Sequence, residues 1–193
     1  MARVTAIRAL DRGRVAVELD GCPWRAVPAA VVVGAGLAVG GDLTRHAART
    51  IRRELRRAEA AEAAAALLRH RDRSSAELEQ RLTRRRVAPS DRRALLESLE
   101  RAGLVDDAAL AVRRAAHLAE RGWGDQAIEH RLAAAGLARQ LRRHAIDALA
   151  SESERARLLL SARGIGGRLA AGLLRRRGFS EEAVEDALGL LDG

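Results

Sequence analysis

Arginine is the side chain through which this sequence is equipped to do chemistry. Three consecutive arginines stand at Arg84, Arg85 and Arg86, and three more at Arg175, Arg176 and Arg177. A third group, Arg139, Arg142 and Arg143, lies between them in the chain. A cation near a helix C-terminus interacts well with the helix dipole, which explains one arginine per helix end. It does not explain three in a row, because adjacent residues on a helix point in different directions. Some of these guanidiniums must face solvent or a partner. The guanidinium fork matches carboxylate and phosphate oxygens in pairs, so the chemistry on offer is recognition of anions. An earlier stretch adds Arg45, Arg49, Arg52, Arg53, Arg56 and Arg57, of which Arg49, Arg52, Arg53 and Arg56 share one helical face. Glu54 and Glu59 offset part of that charge, and a solvated basic face is the competing reading. Trp123, between Gly122 and Gly124, reads either as packing between helices or as a partner-contacting anchor, a role in which tryptophan is enriched.

The formal net charge of +9 rests on 35 basic residues, all of them arginine. That surplus calls for a polyanion or an acidic protein surface as partner. DNA phosphates are one such target. The aromatic residues are Trp24, Trp123 and Phe179, which argues against a surface that reads single strands by stacking bases.

No catalytic constellation is legible. His46, His70, His117, His130 and His144 have no metal-ligand spacing with one another or with Cys22, and all are expected on helix surfaces. The GIGGR stretch at 164–168 lacks the Gly-Lys-Ser/Thr ending of a phosphate loop; it reads as a turn that starts a helix, with backbone N–H groups at most to offer a phosphate. Asp106-Asp107 suggests a metal pair, but an aspartate capping the next helix is the simpler account. No catalytic residue, metal or cofactor is therefore expected. One cysteine allows no internal disulfide, which fits a reducing compartment. No apolar run is long enough for a signal peptide or a membrane span, so a cytoplasmic location is expected.

The elements that must position these arginines fall into two kinds. Residues 1–43 form a β-rich extension. Val15, Val17 and Leu19 alternate with Ala16, Glu18 and Asp20, the pattern of a half-buried strand, and Asp20-Gly21 is a strong hairpin signal. Val4 to Leu10 and Trp24 to Val27 supply flanking strands of a small meander, and 29–43 reads as a short helix and a loop. From Thr44, an N-cap candidate, the chain is helical, beginning with a segment that is either long or broken near residue 58. Ser74 with Glu77 and Ser151 with Glu154 form capping boxes; Asp107 and Ser180 are further cap candidates. Glycines at 103, 122, 136, 164 and 178 mark helix ends.

Those marks repeat. Arg71 to Leu99 lays over Arg121 to Leu149, and that over Arg163 to Leu191, with offsets of 50 and 42 residues. Leu78 then falls on Ile128 and Ala170, Leu82 on Leu132 and Leu174, Val87 on Leu137 and Phe179, and Leu96 on Ile146 and Leu188. The fold expected is mainly α: three tandem three-helix repeats in an elongated array, preceded by the β-meander. The expected divisions are 44–106 for a linking helix and the first repeat, 107–150 for the second and 151–193 for the third.

Four of these stretches, in order and at fitting spacings, resemble the RecX family. They are RDRSSAELEQRL at 71–82, AGLVDDAALA at 102–111, ERGWGDQAIEHRLAAAGL at 120–137 and ARGIGGRLAAGLLRRRGFS at 162–180. Gly166 and Gly167 replace the polar helix start expected in the third repeat, Ala170 a larger apolar residue, and Arg86 a turn glycine. The resemblance implies a cytoplasmic, monomeric modulator of recombinational DNA repair in the SOS response. Such a protein binds the filament of a RecA-type recombinase and inhibits strand exchange and filament ATP hydrolysis; some members also bind DNA. On the residues alone, a non-specific DNA-binding repeat protein and a scaffold for another acidic partner stay open. The expected contact residues are Arg49, Arg52, Arg53, Arg84, Arg85, Arg86, Trp123, Arg139, Arg142, Arg143, Arg175, Arg176 and Arg177.

Overall fold

A computed structural model describes residues 2–189. The end of the third-repeat alignment, as far as Leu191, lies outside the described residues. The chain divides into two compact units. One holds the described residues up to His70 together with Arg81–Ser98; the other holds Arg71–Gln80 with the described residues from Leu99 onward.

The first unit opens with the expected meander. Strands β1 (Val4–Ala9), β2 (Arg14–Leu19) and β3 (Cys22–Pro28) form an antiparallel sheet in that order. Asp20 and Gly21 both take positive φ, 50° and 80°, as the tight turn between β2 and β3 requires. Val17 and Val27 are buried from the sheet, and Val4 with them. Helix α1 (Ala29–Gly34) adds Val31 and Val32, and helix α2 (Arg45–Leu68) adds Ile51, closing one apolar cluster.

Helix α2 is unbroken over 24 residues, so no interruption occurs near residue 58. Alanine, glutamate and arginine are all good helix formers, and nothing in 55–62 competes with the helical backbone. Thr44 caps it, its Oγ1 accepting from the Ala47 N–H at 3.1 Å. Ala60, Ala64 and Leu67 form its buried stripe. Further along, helix α4 (Pro89–Arg101) supplies Asp91, which is buried and accepts a hydrogen bond from Arg56 at 3.2 Å.

Helix α3 (Ser75–Arg84) runs from the second unit into the first. The second unit continues with α5 (Asp107–Glu120), α6 (Asp125–Ala134), α7 (Arg139–Asp147), α8 (Glu152–Arg163), α9 (Gly167–Arg176) and α10 (Glu181–Gly189). The helices are therefore grouped α2–α4, α5–α7 and α8–α10, three repeats of three. The aligned positions carry the core: Leu78, Ile128 and Ala170 are buried, and so are Leu82, Leu132 and Leu174. All three repeats end their second helix in the same way. The N–H groups of Val87, Leu137 and Phe179 reach back to the carbonyls of Leu82, Leu132 and Leu174 at 3.1, 3.3 and 3.1 Å. This six-residue closure places the preceding residue in the left-handed region. Gly136 and Gly178 sit there at φ 74° and 77°, and Arg86 at φ 59°.

Within the second unit, consecutive repeats are joined by one device used twice. The first turn of one repeat's middle helix docks on the turn after the next repeat's middle helix. Ser74 Oγ donates to Ala135 O at 2.5 Å, and Ser75 donates through N–H and hydroxyl to Asp107 at 2.9 and 2.6 Å. One repeat later, the Gly124 N–H donates to Arg177 O at 2.9 Å and the Gln126 N–H to Gly178 O at 3.1 Å. Glu152 bridges this junction, accepting from the Asp125 N–H at 2.6 Å and the Ser180 hydroxyl at 2.6 Å. The N-cap of α5 is Asp106, which accepts from the Ala109 N–H at 2.9 Å. Asp107, a cap candidate on sequence, is instead the bridging acid, in the place that Glu152 holds at the next junction.

Candidate partner-binding surface

The expected contact arginines separate into those already paired with other groups of the protein and those left, among the described residues, unpaired and facing outward. The first cluster is outward: Arg84, Arg85 and Arg86 are all exposed at the end of α3. Arg86 holds a left-handed backbone there, a conformation that disfavours any residue with a Cβ.

The last cluster is mostly engaged. Arg175 makes a two-pronged pair with Glu181, its Nε and Nη2 donating at 3.0 and 2.9 Å. That bond and charge hold the Glu181 carboxyl below the usual range and raise Arg175. Arg177 donates to Arg121 O at 3.1 Å and lies over the Trp123 ring, 4.7 Å from its centroid. Arg131 lies 4.1 Å from the same centroid. Arg176 is exposed. Trp123 is therefore half-buried, packed on the second repeat's core and stacked with two guanidiniums. The cation stacking was not legible, because it depends on how α6 and the turn at Arg177 pack against the ring.

The middle group divides as well. Arg142 is half-buried, donating to Glu129 at 2.8 Å and to Leu137 O at 2.6 Å. Arg92 makes the same carbonyl bond to Val87 O at 2.6 Å, fifty residues earlier, so this arginine belongs to the repeat's own framework. Arg139 and Arg143 are exposed on α7, where they line a shallow depression with His144 and Asp147. On α2, Arg49 and Arg52 are exposed, while Arg53 and Arg57 both pair with Glu54, at 3.3 and 3.2 Å. Arg56, counted on the same face by spacing, pairs with Asp91.

Two carboxylates in the second unit have shifted affinities for protons. Burial alone would push Glu77 up. Hydrogen bonds from Arg114 and the Ser74 N–H, with the charges of Arg114 and Arg71, together hold it below the usual range. Asp125 is pushed up, chiefly by burial and further by Glu152 and Asp147, against the pull of Arg155. Both carboxylates sit at the start of a repeat's middle helix and serve the junctions. The histidines take no part in a cluster: among the described residues no group of three or more His, Cys, Asp or Glu is placed to hold a metal ion. His70 lies just past the end of α2 and the other four lie on helices. No helix of the described residues is long and apolar enough to cross a membrane.

Against known proteins, the likeness is one of structure. A crystal structure of a regulatory protein RecX superposes with a TM-score of 0.80 at 21% identity, covering 96% of this chain and 98% of that chain. The crystal structure of RecX from Lactobacillus salivarius superposes with a TM-score of 0.64 at 16% identity, covering 71% of this chain and 97% of that one. No family model matches the sequence, and no curated protein matches it either. The fold is that of the RecX structures, and the order of helices and turns read from the sequence is the order that fold has.

Proposed function

We propose that this chain, which has the RecX fold over nearly its whole length, is a RecX-family regulator. It binds the filament of a RecA-type recombinase and inhibits strand exchange and filament ATP hydrolysis. The observation that carries the reading is the structural likeness covering 96% of the chain, with the sheet and all three repeats inside it. The exposed arginines support it. Arg49 and Arg52, Arg84 to Arg86, Arg139 and Arg143, and Arg176 present guanidiniums on several repeats. Similar basic units in series suit a polymer whose sites also recur, since each engaged unit raises the effective concentration of the next.

In this reading the protein acts by binding alone, as a cytoplasmic monomer, and transforms no substrate. The test is to add the purified protein to its host's recombinase on single-stranded DNA. Strand exchange and ATP hydrolysis should fall at protein levels well below those of the recombinase. No effect at equimolar protein would overturn the reading. A second reading, direct binding to DNA phosphates, is favoured by the exposed Arg84–Arg86 cluster. It predicts binding to bare duplex DNA that weakens steeply with salt.

A further inference from the structure

Apart from the arginine clusters, the second unit carries a groove of about 610 Å³ between α5 and α6. Its chemistry is mixed in a particular way. Leu118, Leu132 and Ala134 give it an apolar lining, while four arginines, Arg113 and Arg131 among them, stand in its walls with the two carboxylates of Asp72 and Glu77. The arginines are already shown in contact with carboxylates: Arg113 with Asp72 at 2.7 Å and Arg71 with Glu77 at 3.0 Å. The Arg113–Asp72 pair is more than half exposed on both sides, 56% and 67%, so a competing carboxylate meets little resistance there. Arg131 stacks on Trp123, and among the described residues no carboxylate pairs with it. Stacking uses the face of its guanidinium and leaves the N–H edge free to donate.

We infer that this groove receives an acidic segment of a partner protein, with one aliphatic side chain set on the apolar lining and flanking carboxylates on Arg113 and Arg131. A nucleic acid fits less well for two reasons. A phosphodiester strand offers sugar carbons and at most a thymine methyl, and no branched aliphatic side chain for Leu118 and Ala134 to cover. The indole nearby, Trp123, carries guanidiniums at 4.1 and 4.7 Å, so it presents no open platform for a base, and the imidazole of His117 is the smaller ring left at the groove. The assignment rests on the partner being a protein filament, and it names the chemistry of one contact on that filament.

The test uses the full chain with Trp24→Phe, which leaves Trp123 as the reporter against the groove. The probe is a short synthetic helical peptide with glutamates on either side of one leucine. The expected result is saturable binding that changes Trp123 emission. Arg113→Glu, and separately Ala134→Phe, which fills the groove from an exposed position, should each weaken it about tenfold or more, the scale of a lost charge-assisted contact. Replacing the peptide's leucine by serine should weaken it too, and Arg163→Glu, exposed and outside the groove, should leave it unchanged. Thermal unfolding of both groove variants near wild type keeps the comparison fair. Unchanged peptide binding in both groove variants overturns the proposal, as does displacement of the peptide by an oligonucleotide of equal charge. Wild-type protein that binds the recombinase filament but not the peptide overturns the groove assignment and leaves the filament reading standing. Binding of the peptide without binding of the filament supports the groove's chemistry and removes the recombinase from the proposal.

Discussion

Replacing Arg86 by glycine should stabilise the protein and weaken its hold on an anionic partner at once. Arg86 occupies the left-handed turn position, φ 59°, that Gly136 and Gly178 occupy one and two repeats later. A residue with a Cβ spends about 1–2 kcal/mol to stay in that region. Glycine recovers this but makes the unfolded chain freer, which takes back about 0.5–1 kcal/mol. The side chain is exposed, so its loss opens no cavity. The net expectation for Arg86→Gly is a gain of about 0.5–1 kcal/mol, or a melting temperature higher by roughly 1–4 °C for a chain of this length. The converse substitutions should behave oppositely. A Cβ on Gly136 would stand 2.4 Å from the Ala76 Cβ, and one on Gly178 would stand 2.7 Å from the Ala127 Cβ, where carbon atoms in contact keep about 3.5–4.0 Å apart. Both φ and overlap oppose Gly136→Ala and Gly178→Ala, so each should lose about 2–4 kcal/mol. Thermal and urea unfolding followed by circular dichroism measures all three. A destabilised Arg86→Gly, or a neutral Gly136→Ala, would refute the reasoning that one turn geometry recurs and that only the first copy tolerates bulk. Binding measured on the same Arg86→Gly protein should weaken, its salt dependence on DNA falling by up to about one unit if the lost contact is a phosphate.

Alanine at Arg84, Arg85 and Arg86 together should change stability little, whereas alanine at Arg175, Arg176 and Arg177 should cost about 1–2 kcal/mol, because Arg177 stacks on Trp123 and bonds Arg121 O. Equal stability of the two triple variants by urea titration would contradict the division between outward and engaged clusters. Glu152→Gln should lower stability by about 1–3 kcal/mol, since the charged carboxylate serves Asp125 and Ser180 at one junction; a melting temperature equal to wild type would remove the bridging role. Glu77 has a folded pKa below its ordinary value, so its contribution is present above about pH 4 and fades as pH falls through the folded value. The melting-temperature gap between wild type and Glu77→Gln should therefore be widest near neutral pH and close in acid, and a gap constant with pH would count against the ion-pair account.

The sequence by itself determined the elements and their repetition. Turn chemistry is local, so Asp20-Gly21, the Ser74 and Ser151 caps and the glycines at 103, 122, 136, 164 and 178 could be read a few residues at a time. The second and third repeats each pack a core at the same register, and Leu78, Ile128 and Ala170, or Leu82, Leu132 and Leu174, show that period without coordinates. The location of positive charge was legible too. Its assignment was not. Arg177 and Arg142 are expected contact residues in sequence, yet each is half-buried against a group brought to it by the fold, Trp123 and Glu129, while Arg175 stays exposed and pairs with Glu181. Arg113 and Arg131 stood out in no local pattern and became wall residues of a groove only when α5 and α6 were packed together. The junctions are the clearest case, for Ser75 meets Asp107 across 32 residues and Asp125 meets Glu152 across 27. Hydrogen bonds and ion pairs act over about 3 Å, and which groups come that close is decided by the packing of whole helices, a property that no short window of sequence contains.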